Sequence, residues 1–147
     1  MIAEKYLSKS IVSVLLEAIK DCDIVSYSKI ELDQFLNFEE EGFYLQAKNG
    51  ADEISDVRIY LLPDQEFYPA SKSVLGYFSE LRTIDLAREY FGEPTKTIRS
   101  LKIPGAEPTF PGLMFKSQGF IIRAFHQFEI SDIVCFHVSN AQIHINT

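Results

Sequence analysis

The chain has no tryptophan, two methionines and two cysteines, Cys22 and Cys135. Two thiols are too few for a disulfide framework or a cysteine-based zinc site, so both read as plain buried thiols of a reducing compartment. Positive charge is also scarce: 14 Lys and Arg stand against 21 Asp and Glu, a net −7. A general nucleic-acid binder needs clustered cations to neutralise phosphates, which argues against that class. No apolar run reaches the ~18 residues of a membrane span. The start, Met1-Ile2-Ala3-Glu4-Lys5, is charged too early for a secretory leader. The expectation is a cytoplasmic protein with no membrane contact.

What the chain has in quantity is aromatic surface: 12 Phe and 7 Tyr in 147 residues, with 46% hydrophobic and 24% charged residues overall. This is a globular mix of a size for one domain, 1–147, with one real core. Acid is concentrated in the first half. Residues 21–66 hold twelve carboxylates against Lys29, Lys48 and Arg58, a local −9. Such a stretch reads as a solvated acidic face or as a docking surface for a basic partner.

The chain also resembles itself. Gly42-Phe43-Tyr44-Leu45-Gln46-Ala47, then Glu53-Ile54-Ser55-Asp56-Val57, aligns with Gly119-Phe120-Ile121-Ile122-Arg123-Ala124, then Glu129-Ile130-Ser131-Asp132-Ile133. Two copies of one supersecondary unit are expected, about 1–66 and about 67–147. In the first, Ile11, Leu15, Ala18 and Ile19 share a helical face, with Ser8 or Ser10 as N-cap. Residues 43–48 and 56–62 read as strands, while 24–38 fit a strand or a short helix. In the second, Thr83 or Asp85 opens a helix that Gly92 and Pro94 close after Phe91. Strands are expected over 96–103, 113–116, 120–128 and 133–138, with a last edge strand at 142–146 and a Pro/Gly loop over 104–112. Alternation puts Phe120, Ile122, Ala124, His126 and Phe128 on the core side of the longest strand. The fold class is α+β: an antiparallel sheet with helices on one face, built from two related helix-plus-β-hairpin units.

Chemistry-bearing patterns are few. A hairpin turning at Ile130-Ser131 sets His126 opposite Cys135, with His137 close by. No orienting carboxylate or third ligand stands at a recognisable spacing, so packing is the stronger reading. HExxH, GxSxG, GxxxxGK[ST] and GxGxxG are all missing. No catalytic residue, metal or cofactor is assigned, and no enzyme is expected.

Tyr68-Pro69, Leu75-Gly76, Phe78, Arg82-Thr83 and Phe91-Gly92-Glu93-Pro94 form a pattern of their own. It resembles a segment of bacterial immunity proteins that accompany polymorphic and contact-dependent growth-inhibition toxins. The doubled helix-plus-strands unit is similar to the tandem repeat of beta-lactamase-inhibitor-like domains. The resemblance covers about 67–138, and it implies an antitoxin that binds one cognate toxin C-terminal domain and blocks it. Many such toxins are nucleases, whose basic clefts an acidic surface would fill. The resemblance transfers no binding residues, because immunity contacts differ from pair to pair. The charge distribution points instead to Glu39, Glu40, Glu41, Asp52, Glu53, Asp56, Asp64 and Glu66 as the toxin-binding set. Two other readings compete. One is a small ligand-binding domain or enzyme with a pocket between sheet and helices, using His126, Cys135 and His137. The other is a scaffolding module that pairs through an exposed strand at Ile143–Ile145.

Overall fold

The computed structural model describes residues 1–141. Eight strands form one antiparallel sheet: β1 (Ser26–Ile30), β2 (Asp33–Phe38), β3 (Phe43–Ala47), β4 (Asp56–Tyr60), β5 (Lys96–Ile98), β6 (Gly112–Ser117), β7 (Phe120–His126) and β8 (Ile133–Asn140). Their order is β1-β2-β3-β4-β8-β7-β6-β5, so two meanders meet where β4 pairs with β8. The helices are α1 (Ile2–Tyr6), α2 (Ile11–Lys20), α3 (Lys72–Leu75) and α4 (Ile84–Phe91), with a 3-10 turn over Gly76–Glu80. The α+β class with an antiparallel sheet is as expected. The strand at 142–146, with its Ile143–Ile145 edge, lies outside the described residues.

Local chemistry explains the helices. Ser10 Oγ accepts from Ser13 N at 3.2 Å, and Thr83 Oγ1 accepts from Leu86 N at 3.2 Å. Each satisfies one orphan amide of a first turn. Both helix starts are tied to the sheet. Ile11 N donates to Asp52 O and Ile54 N to Lys9 O, while Ile84 N donates to Ser131 O and Ile133 N to Arg82 O. Gly92 ends α4 at φ +87, a conformation that costs glycine little.

The helices pack on one face of the sheet. Tyr6 lies over Phe43, Phe78 stacks on Phe136 at 4.2 Å, and Phe91 meets Phe115 at 5.3 Å. Helix α2 buries Ile11, Val14 and Ala18 in the same cluster as Leu36, Phe38 and Leu45. Each large side chain buried there contributes ~1.5–3 kcal/mol.

Several expectations need correction. Residues 24–38 are a β-hairpin, and its edge strand β1 is mostly exposed, which erases the alternation that would have announced it. Strand β5 stops at Ile98 rather than 103. Ile19 is 60% exposed while Val14 is buried, so the face of α2 is rotated from the expected one. Cys22 is exposed, and only Cys135 is buried. A register shift between Phe125 and His126 ends the alternation of β7, which leaves Phe128 53% exposed. The matching Glu-Ile-Ser-Asp tetrads sit in unlike surroundings: Ile54 is buried and Ile130 exposed, Asp56 buried and Asp132 exposed.

Candidate functional site: the polar face of the sheet

Strand parity decides what the second face carries. In β4, Val57 and Ile59 join the helix-side core, so Asp56, Arg58 and Tyr60 point the other way. In β8, Phe136 and Val138 join the core, which turns Cys135, His137 and Ser139 to the same second face. Pairing then aligns Tyr44 with Arg58, Arg58 with His137, and His137 with Arg123.

These residues form a directed chain. Arg58 Nε donates to His137 Nδ1 at 3.0 Å, and His137 Nε2 donates to Asp56 Oδ1 at 2.8 Å. The Ser55 hydroxyl donates to Asp56 Oδ2 at 2.6 Å, and Lys48 Nζ lies 3.2 Å from the same oxygen. A guanidinium nitrogen only donates, so Nδ1 accepts and the imidazole is the neutral Nε2–H tautomer. The Arg58 guanidinium lies 5.7 Å from the Tyr44 ring centre and 5.1 Å from that of Phe125. Such faces stabilise a desolvated cation.

Asp56 is 1% exposed and His137 7%. Burial pushes His137 down to about 4 against the pull of Asp56, and the Arg58 and Arg123 charges lower it further. Burial alone would raise Asp56, but the His137 N–H, the Ser55 hydroxyl and Lys48 outweigh it and hold the carboxyl well below its usual range. At neutral pH the chain therefore reads Arg⁺, His⁰, Asp⁻.

Two loop segments cover this face. In the first, residues 61–70, Phe67 stacks on Tyr60 at 4.7 Å and tilts against Tyr44 at 5.9 Å. Gly42 lets that segment pass: at φ +81, a Cβ there would overlap the backbone of Tyr68 and Ala70. In the second, residues 99–111, Phe110 meets Phe128 at 5.6 Å. Gly112 instead lets β6 begin close against β7, because a Cβ would meet Ala124 O at 2.6 Å and the Phe125 ring at 3.1 Å. Between the two segments opens a cavity of about 620 Å³. Arg58, Cys135 and Phe125 come from the sheet, and Leu101, Phe110 and Phe128 from its flanks. This cavity lies on the sheet face away from the helices, whereas the competing ligand-binding reading placed a pocket between sheet and helices.

The anticipated residues scatter. Glu39, Glu40 and Glu41 form the turn between β2 and β3, and Glu39 O accepts from Tyr68 N. This brings Glu66 against Glu39, whose carboxyl is raised by partial desolvation, then by a hydrogen bond and repulsion from Glu66. Asp64 lies in the same covering segment and lines the cavity. Asp52 and Glu53 sit beyond the other end of β3, a five-residue strand of about 17 Å. There Asp52 Oδ1 accepts from Val12 N at 3.2 Å and serves the first turn of α2. Asp56 cannot belong to an exposed patch. The eight residues therefore resolve into an acidic pole at Glu39, Glu40, Glu41 and Glu66, a cavity-lining Asp64, an Asp52 that serves α2 with the exposed Glu53 beside it, and a buried Asp56.

His126 does not face Cys135. The register shift sets Phe125 opposite Cys135 and His126 opposite Ile133, and His126 Nδ1 contacts Gln127 O at 2.7 Å. Burial pushes the Cys135 thiol up to about 11, so it is protonated at neutral pH and a poor nucleophile. Both nitrogens of His137 are engaged, which leaves no free base. Among the described residues no three His, Cys, Asp or Glu side chains are grouped to hold a metal ion. Sequence reasoning missed Arg58, counting it only as a charge. The usable signal was two strands, 56–60 and 135–139, each with polar residues at every second position.

No family model matches the chain, and no curated protein matches it. Among solved structures it is similar to a cysteine-rich secretory protein from Staphylococcus aureus subsp. aureus Mu50, with a TM-score of 0.54 and 10% identity. The similarity covers 95% of this chain and 46% of that one, so this chain spans less than half the other's length. At that identity the likeness concerns the fold alone. No helix among the described residues is long and apolar enough to cross a membrane.

Proposed function

We propose that the chain is an immunity protein, an antitoxin that binds a cognate basic toxin domain and silences it by occupancy, with no chemistry of its own. The observation that carries this reading is the acidic pole. Glu39, Glu40, Glu41 and Glu66 are gathered by the β2–β3 turn and the segment crossing it, and none is ion-paired among the described residues. Crowded carboxylates repel one another, and a cationic partner relieves that repulsion while steering encounter. Asp52 and Asp56 leave the docking set for the structural roles given above, Asp64 for its place in the cavity wall, and Glu53 because it lies beyond the far end of β3. The fold is read as two related units. In support, Ser10 bridges Glu53 and Thr83 bridges Asp132, so each helix N-cap is fastened to the approach of a central strand, at positions three residues apart in the aligned tetrads.

The test is to find a large secreted protein with a variable C-terminal domain encoded beside this chain, and to co-express that domain with it. Rescue of growth is expected. Reversing Glu39, Glu40 and Glu41 to Lys should slow association at low salt by about tenfold or more and flatten its salt dependence. Absence of rescue overturns the reading. An unchanged association rate overturns its electrostatic part. The cavity on the second face favours a second reading, a small ligand-binding domain.

A further inference from the structure

The cavity has the size of small-molecule sites, and its lining combines an aromatic and aliphatic wall with a polar side that includes four charged residues. The decisive group is Arg58. Its Nε is committed to His137 and it also hydrogen-bonds Tyr60. Among the described residues no carboxylate lies within 4.0 Å of it, and no other acceptor engages the rest of its fork. A guanidinium on a sheet floor is normally matched by a carboxylate, because its planar fork fits the two oxygens in parallel. Here the match is missing although the cation is held firmly. His137 and Asp56 fix Nε from behind, and the Tyr44 and Phe125 rings flank the plane. A ligand binding there would lose little to protein reorganisation.

We infer that this cavity binds the carboxylate of a compact small molecule with an apolar, aromatic-sized body, and that Arg58 anchors it. The carboxylate meets the open side of the guanidinium fork. The body lies among Ile98, Leu101, Phe110, Phe125 and Phe128. Asp64, Glu107 and Arg99 also line the cavity. The two carboxylates make it formally neutral with Arg58 and Arg99, so they disfavour a bare acid and favour one that also carries an ammonium. The same head group therefore has two sources, a simple aryl-alkanoic acid or an apolar α-amino acid. The inference does not rest on the antitoxin reading, and either stands if the other fails.

Isothermal titration of the full chain with four probes decides it: 3-phenylpropionate, its neutral amide 3-phenylpropanamide, L-phenylalanine and phenethylamine. At least one of the two carboxylates should bind about tenfold or more tightly than the amide and the amine. Tighter 3-phenylpropionate identifies the simple acid as the source. Tighter phenylalanine identifies the amino acid, and Asp64→Asn should then remove that preference. Arg58→Gln should weaken the preferred carboxylate about tenfold or more while circular dichroism reports an intact sheet. Leu101→Trp is a second variant, placed on an exposed loop residue of the wall, and should block binding by filling the cavity without touching the sheet. Acid and amide binding alike, phenethylamine binding best, no probe binding up to roughly 10 mM, or a folded Arg58→Gln protein retaining full affinity would each overturn the inference. If Arg58→Gln does not fold, the acid–amide comparison and Leu101→Trp decide.

Discussion

The two faces of the sheet are both buried, by opposite means. Under the helices, Phe43, Phe115, Phe136, Leu45 and Ile122 meet Phe78, Ala87 and Ile11, and burial is achieved by close packing. Under the two loop segments, Arg58, His137, Asp56 and Tyr60 are buried among hydrogen bonds and aromatic rings. Packing energy is non-directional and tolerates exchange of similar shapes. A buried polar chain is directional, and each of its members is costly to strand. One face therefore makes the globule stable, and the other fixes a single arrangement of charge beneath a cavity.

The largest effect tests the first face. Phe136→Ala, which also unstacks Phe78, should cost about 3–5 kcal/mol in urea unfolding. The loss should be nearly the same from about pH 4 to pH 7, because no titrating group is touched. A cost below about 1 kcal/mol would mean that the helix face does not dominate stability.

The next effect belongs to the polar face, and it is a slope rather than an offset. His137 is held at about 4, below its unfolded value. The unfolded chain therefore binds the proton first as pH falls, and stability drops between about pH 6.5 and pH 4 by at most about 3 kcal/mol. Asp56, held low, adds stability above the usual carboxylate range that is lost at still lower pH. In His137→Gln, an amide can serve both Arg58 and Asp56 without titrating, so the first of these losses should disappear. A variant whose acid limb superimposes on that of the natural chain would break the contrast between the faces.

Much of the helix face was legible in the sequence. The caps at Ser10 and Thr83, the stop at Gly92 and the alternation through Phe120, Ile122 and Ala124 follow from local rules. The polar face was not, because its meaning depends on pairing between strands 79 residues apart. Arg58 and His137 are ordinary until β4 and β8 come together in one register. The alternation of β8 does stand in the sequence at Cys135, His137 and Ser139, but nothing local says that these residues are buried as fully as their neighbours. The acidic tally failed for a related reason. Counting Asp52, Asp56 and Glu66 as one patch ignores that a strand carries neighbours to opposite ends and faces of the sheet. The bulge at Phe125/His126 had no local mark, and it alone undid the expected meeting of His126 with Cys135.

The smallest effect separates carboxylates that the sequence makes look alike. Glu66 stands against Glu39 at the acidic pole, and the Glu39 carboxyl is raised by desolvation first, then by a hydrogen bond and repulsion from Glu66. Glu66→Gln removes one charge of that pair without disturbing the sheet. It should raise the unfolding midpoint slightly at neutral pH, by less than either change above. The gain should shrink as salt screens exposed charge. Asp56→Ala would do the opposite, stranding the His137 N–H and the Ser55 hydroxyl and leaving Lys48 without its counter-charge. Matching signs for the two substitutions would mean that burial does not divide the acidic residues. Opposite signs place the free charge at the pole and the structural charge under the cavity.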